Sequence, residues 1–404
     1  STLAWDTSNS SKVVSPSSVA WTHLKGVTWA KNFQAHFDTL PPDIAPKFRA
    51  QMLTTLAQIG TNATLIAGGP ESNGALTKGE SLELVSKFRP GDGTVVDDTA
   101  RPNHHSAMLW FLSDLNSLAQ NGWFGYVNPE PLIPAKKIQQ LTDGMAKTTM
   151  NLFEPADVVE QGSTRDLGQM LGALGWYGTH AGSSQLESKA ATYADALATA
   201  VESNLAGNGR VENGAKNQAA TQGSVGQGLL WASQISGVDH ENLASDILGY
   251  LFDELWDADA GTFASNPESD TYSISARDAG DITGGVNAAD AVLGRSGVKE
   301  VYATYFDQTF NRGRLQRAER PQSRDGAAEH TLPLPPKAGG EYGQAAVYNQ
   351  RVAYNTTADE WSVEDRRFRT GPALYLSNQD IWIGQWGGDF YQGRGVPGQS
   401  DSPE

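Results

Sequence analysis

The chain has 404 residues, with 30 Lys+Arg against 46 Asp+Glu, a formal net charge of −16 and no cysteine. A protein of this length buries about three quarters of its extended-chain surface, so it builds one large core or two ordinary ones without disulfide staples. Lack of cysteine excludes a thiolate nucleophile, an iron–sulfur cluster and a cysteine-based zinc site, and the acidity disfavours nucleic acid and anionic lipid as partners.

No stretch reaches the roughly 18 apolar residues of a membrane-spanning helix. Residues 1–17, opening Ser1-Thr2-Leu3, are polar and are predicted to be a flexible segment left after removal of a leader or anchor. Glycosylation sequons at Asn9, Asn62 and Asn355 fit an extracellular or cell-surface location. The negative surface also fits a salt-rich medium, where screening weakens the repulsion that keeps proteins apart.

From residue 18 to 311 apolar residues return every three or four positions, which predicts helices in series. They fall at 18–37, 44–60, 104–120, 136–153, 164–179, 186–205, 221–236, 243–256, 284–294 and 298–311. Two kinds alternate. The helices starting near 104, 164, 221 and 284 recur at roughly 60-residue intervals, too long for ordinary solenoid repeats. They carry Gly168, Gly172, Gly175, Gly223, Gly226, Gly228, Gly284 and Gly285. Glycine costs a helix interior about 1 kcal/mol against alanine, so these positions call for close backbone approach in an inner layer. Their partners, such as 186–205 and 243–256, place Lys, Glu and Asp between apolar positions and read as an outer layer.

Residues 312–340 are rich in charge, Pro and Gln and read as a surface excursion. Glu341–Tyr354 is expected to supply one more small-residue inner helix that closes the helical domain. Residues 355–404 are expected to form an aromatic cap and tail, with short strands at Leu374-Tyr375-Leu376 and Ile381-Trp382-Ile383.

Two segments carry a family likeness. Leu248 to Phe263 contains Leu255-Trp256-Asp257 followed by Gly261 and Phe263, and Gln222 to Gln234 is a small-residue helix. This pattern resembles the six-hairpin (α/α)6 toroids, the group containing many glycoside hydrolases, polysaccharide lyases and sugar epimerases. The resemblance implies a mainly α fold, an (α/α)6-type toroid with a small irregular or β C-terminal cap. It carries no catalytic signature that transfers residue by residue.

In such a ring, the loops entering the inner helices build one mouth. Gly91 to His105 brings Asp97, Asp98, Arg101, His104 and His105 there, and Pro102 suits the first turn of the following helix. Further candidates are Glu160, Arg165 and Asp166, then Glu212 and Asn217, then Arg277, Asp278 and Asp281. A glycosidase needs two carboxyl groups about 5–9 Å apart. Asp98 and Asp281 are the expected acid/base pair, with Asp97 and Asp278 as competitors; for any one of the four taken singly, helix capping or simple surface charge is the better explanation. The expected substrate contacts are His104, His105, Arg165, Asp166, Trp176, Tyr177 and His180. Trp110, Trp123, Trp231, Trp382 and Trp386 add flat apolar faces suited to a sugar ring or to the core.

No cofactor and no resident metal is expected. The phosphate-cradling loop, the His-Glu-x-x-His pair and the Gly-x-Ser-x-Gly elbow are missing from the sequence. Asp257 to Gly261, with Glu268, imitates a calcium loop, but its glycine falls one place early. A cation-supported turn of the calcium type is the most it offers. Two functions follow: a carbohydrate-active enzyme acting on an oligosaccharide or polysaccharide, or a noncatalytic subunit of an envelope or redox assembly with a protein partner.

Overall fold

A computed structural model describes residues 11–35, 59, 76–78, 82–120, 134–161, 163–211, 217–316 and 348–381. In chain order its helices are α1 (Pro16–Ala35), α2 (Pro102–Gln120), α3 (Ala135–Leu152), α4 (Pro155–Gln161), α5 (Thr164–Gly178), α6 (Ser184–Glu202), α7 (Gln218–Ala232), α8 (Glu241–Asp253), α9 (Ala276–Ala291), α10 (Val298–Tyr305) and α11 (Thr370–Ile381). A π-helical stretch, Phe306–Arg312, continues α10.

Six of these helices close a ring. Each packs on two neighbours in the order α1, α2, α5, α7, α9, α11 and back to α1. The outer helices α3, α6, α8 and α10 back α2, α5, α7 and α9 in turn. Burial separates the layers as the sequence pattern predicts. Every residue of α7 except Trp231 is buried, as befits a helix surrounded by protein. By contrast α3 buries only a stripe, Ile138, Thr142, Met145, Ala146, Thr149 and Met150, at the spacing of one helical face.

Glycines let α7 approach both neighbours closely. A Cβ at Gly168 would meet the Ser224 carbonyl oxygen at 2.5 Å, and one at Gly228 would meet the Gly168 carbonyl oxygen at 2.2 Å. On the other flank, a Cβ at Gly223 would lie 2.3 Å from the Asp281 carbonyl oxygen. Such contacts exclude any side chain without a backbone shift.

The strands are short: β1 (Thr77–Lys78), β2 (Glu83–Leu84), β3 (Lys87–Arg89), β4 (Thr94–Asp97), β5 (Trp256–Asp257), β6 (Thr262–Phe263), β7 (Thr271–Ser275), β8 (Arg351–Asn355) and β9 (Glu360–Asp365). β1 pairs with β2, β3 with β4 and β5 with β6, while β7, β8 and β9 form an antiparallel sheet with β8 in the middle.

That sheet corrects the C-terminal reading. Residues 351–355 are a strand, so the helix expected over 341–354 does not run through them, and α11 takes the sixth place in the ring. Leu374, Tyr375 and Leu376, expected in a strand, lie in α11. Three adjacent apolar residues after Gly371-Pro372 look like a strand after a turn, yet Pro372 falls in the first helical turn, where its missing N–H removes no helical bond. Helix α9 also starts at Ala276, earlier than the glycine pair near 284 implied. All of 44–60 except Ile59 and all of 317–347, together with Trp123, Glu212, Trp382, Trp386 and the tail, lie outside the described residues. No helix among the described residues is long and apolar enough to cross a membrane.

Candidate active site at the N-terminal end of the ring

The strands all precede inner helices: β1 to β4 lead into α2, β5 to β7 into α9, and β8 and β9 into α11. The segments leaving α5, α7 and α9 are short, at 179–183, 233–240 and 292–297. Chemical variety therefore gathers where the inner helices begin.

Two of those helices begin alike. Ser163-Thr164-Arg165-Asp166-Leu167-Gly168 opens α5, and Ser275-Ala276-Arg277-Asp278-Ala279-Gly280 opens α9. In each, the serine hydroxyl accepts from the backbone N–H of the aspartate, and the aspartate accepts from the backbone N–H of the serine. This reciprocal cap satisfies donors that a helix start leaves free. It also fixes the arginine one residue before the aspartate, and both arginines reach the ring axis.

At the axis Arg165 donates from Nε to Asp281 Oδ2 and from Nη1 to Asp278 Oδ1 at 2.7 Å. Arg277 donates from Nε to the same Asp281 oxygen at 3.2 Å and from Nη2 to Gln169 Oε1 at 2.7 Å. The Tyr375 hydroxyl donates to Asp281 Oδ1 at 2.6 Å, and the Arg277 guanidinium lies 4.0 Å from the centre of the Tyr375 ring. Gln379 donates to the Tyr375 hydroxyl at 2.9 Å and exchanges amide hydrogen bonds with Gln227. Gln169 in turn donates to the Asn103 carbonyl and to Ser106 Oγ at 2.9 and 2.7 Å. Five inner helices thus meet in one polar network.

Burial works against the charge on Arg165, but the carboxylates of Asp281 and Asp278 outweigh it and raise its pKa. Burial and then Asp281 push the Tyr375 phenol up, so it stays a neutral donor. Below the network, Trp21, Trp110, Asp114, Tyr375, Asn378 and Gln379 line a cavity with room for about one water.

The structure brings together Arg165, Arg277, Asp278 and Asp281, four of the mouth residues named from sequence. Asp281 is fully buried, with both oxygens occupied by two guanidiniums and a phenol. Asp166 is taken up by its cap. Asp97 ends β4 and Asp98 follows it on the rim: Asp97 accepts from the Thr99 N–H at 3.1 Å and lies 3.5 Å from Arg101, while Asp98, 72% exposed, lies 3.7 Å from Lys78. Among the described residues no hydrogen bond joins Asp98 to the axial network. The partner that Asp281 shares an arginine with is Asp278.

Four of the expected substrate contacts lie away from the axial network. His105 is fully buried; its Nε2 accepts from the Leu84 N–H at 3.0 Å and its Nδ1 donates to the Arg101 carbonyl at 3.0 Å. That leaves no ring atom for a sugar. Trp176, Tyr177 and His180 belong to the other end of α5, roughly 16 Å or more along the axis from Arg165 at 1.5 Å per residue. Tyr177 is core, donating to Asp143 Oδ1 at 2.9 Å, and Trp176 packs on Trp231 with ring centres 5.6 Å apart. His104 stays near the mouth, its Nδ1 3.0 Å from Ser17 Oγ.

The calcium-like turn is satisfied internally. Asp257 Oδ1 accepts from the N–H groups of Asp259 and Ala260, and Oδ2 accepts from the Tyr272 hydroxyl at 2.8 Å. Among the described residues no three His, Asp or Glu side chains are arranged to hold a metal ion.

Burial pushes both His104 and His105 down to about 4, below the 6.5 of an exposed histidine. Between these values the unfolded chain binds more protons than the folded one, so stability is present above pH 6.5 and is lost as pH falls toward 4. Thermal melts of the His105→Gln variant should therefore lose less stability across this window than wild type. An identical slope would show that His105 does not contribute.

No protein-family model and no curated protein matches this sequence. Solved structures do match along nearly the whole chain. A D-mannose isomerase superposes with a TM-score of 0.54 at 10% identity, over 92% of this chain and 87% of that one. A cellobiose 2-epimerase from Bacillus thermoamylovorans gives 0.55 at 8% identity, over 91% and 88%. Another from Spirochaeta thermophila gives 0.54 at 9%, over 92% and 86%. This chain is an (α/α)6 toroid. Its ring order, its two helical layers and its long loops at one mouth follow that architecture.

Proposed function

We propose that this toroid acts on a carbohydrate at the mouth where its inner helices begin, with glycosidase-like acid/base chemistry. The observation that carries the reading is the cluster of Arg165, Arg277, Asp278, Asp281 and Tyr375 on three separate inner helices at that mouth. The similar structures support a sugar as the ligand, since those above are a mannose isomerase and cellobiose epimerases by title. In this reading Asp281 is a positioning residue that holds both arginines. Arg165 fixes a substrate oxygen, and Asp278, at the margin of the network, accepts from a hydroxyl. Asp98 or Asp97 on the rim supplies the second carboxylate, and His104 lines the approach.

A noncatalytic reading has one specific observation in its favour. Both oxygens of Asp281 and of Asp278 already accept hydrogen bonds, Asp278 from Ser275 and Arg165. A carboxylate so held binds and orients more readily than it donates a proton. The proposal further places the protein outside the cell or at its surface, in a salt-rich medium. The net charge of −16 supports this. In the noncatalytic reading the same mouth holds a glycan or a protein of an envelope assembly.

Turnover and binding separate the two readings. Purified protein is incubated with gluco-, manno- and xylo-oligosaccharides, and products are followed by NMR for bond cleavage and for epimerisation. Turnover in wild type that falls at least a hundredfold in Asp278→Asn and in Asp98→Asn, with both variants folded, supports acid/base chemistry. Binding without turnover supports the noncatalytic reading, and turnover unchanged in both variants removes these carboxylates from the chemistry.

A further inference from the structure

We infer that the axial site selects uncharged saccharides and rejects uronates and other anionic sugars, an inference that rests on the carbohydrate reading above. Two arginines at a ligand mouth would ordinarily point to an anionic substrate. Here both are already spent. Arg165 carries Asp281 and Asp278, and Arg277 carries Asp281 and Gln169 while its face lies on the Tyr375 ring. Two carboxylates, Asp278 and Asp281, bond the two guanidiniums directly, and Asp166, held in the cap of α5, adds a third negative charge near Arg277 without touching it. The remaining polar groups, the amides of Gln169, Gln227 and Gln379, add no positive charge. His104 beside the mouth is kept neutral by burial.

An incoming carboxylate would therefore lose its hydration to face a cluster with excess negative charge. A hydroxyl or ring oxygen would not. One donor is not yet used: Arg165 Nη2 has no hydrogen-bond partner among the described residues, and because it is closed off from solvent a ligand oxygen reaches it only as the side chains around it part. A neutral oxygen satisfies that N–H without adding charge, and the paired carboxylates accept from the hydroxyls next to it.

The test is an oligosaccharide array followed by titration calorimetry at low salt, where any attraction for an anion is least screened. The probes are gluco-, manno- and xylo-oligosaccharides beside oligogalacturonates and oligomannuronates of matched length. The neutral class should bind at least about tenfold more tightly. Asp278→Asn, which removes a negative charge while leaving an amide oxygen for Arg165 Nη1, should narrow the gap by raising uronate affinity about tenfold, and Asp166→Asn should narrow it in the same direction should the first variant fail to fold. Equal or tighter binding of uronates by wild type overturns the inference and leaves the carbohydrate reading standing. An unchanged gap in a folded variant overturns its assignment to these carboxylates. Absence of binding to either class overturns the carbohydrate reading, and this inference with it.

Discussion

Gly228→Ala is expected to lower stability by about 3 kcal/mol, whereas Gly249→Ala is expected to raise it by up to about 1 kcal/mol. Both are glycines within helices, so the same propensity gain applies to each. What differs is the space around the new methyl group. At Gly249, on outer helix α8, a Cβ meets only the Asp253 carboxylate at 3.8 Å. At Gly228, on inner helix α7, it meets the carbonyl oxygen, carbonyl carbon and Cα of Gly168 at 2.2, 2.9 and 3.0 Å. Those atoms are backbone of α5 and cannot rotate away. Relief requires α5 and α7 to separate, and α7 is held on its other side by α9, where Gly223 and Gly285 are in similar contact. Urea unfolding of the two variants measures the contrast. Equal effects would mean that the inner ring tolerates expansion, and the packing argument for its glycines would fail.

The inner and outer layers were legible in the sequence because each rests on local signals. A stripe marks an outer helix, and costly glycines mark an inner one. Arg165, Asp278 and Asp281 were also visible as polar residues next to inner helices. Their convergence was not, because 116 positions separate Arg165 from Asp281 and no local pattern encodes that contact. The matching starts of α5 and α9 offered a signal. They lie two hairpins apart, with α7 between, so comparison of successive repeats steps over them. Adjacent His104 and His105 could not be told apart by type, yet α2 turns one to the Leu84 backbone in the core and the other to Ser17 on α1. Successive helical residues point about 100° apart, so one of the two can face the cavity while the other packs, but which one does so depends on contacts that lie far away in the chain.

Asp281→Ala should cost about 3–5 kcal/mol, the range for removing one partner from a buried ionic group. Asp281 is the node of the network. Without it, Arg165 keeps only Asp278 as a bonded carboxylate, and Arg277 keeps no bonded carboxylate, only the neutral Gln169, the Tyr375 ring and the weaker pull of Asp166. The Tyr375 hydroxyl loses its acceptor in the core, which adds an unsatisfied donor to an uncompensated cation. Asp98→Ala, by contrast, removes an exposed carboxylate whose Lys78 partner is itself half exposed, and should change stability by less than about 0.5 kcal/mol. Arg165→Met separates the network from a simple loss of volume. If the two groups act as a unit, Arg165→Met with Asp281→Ala costs less than the sum of the single variants, since removing one charge relieves the charge left by the other. Urea unfolding of the singles and the double gives this coupling directly. Strict additivity would mean that the axial ion pair does not hold α5 to α9, and the ring would then owe its N-terminal mouth to helix packing alone.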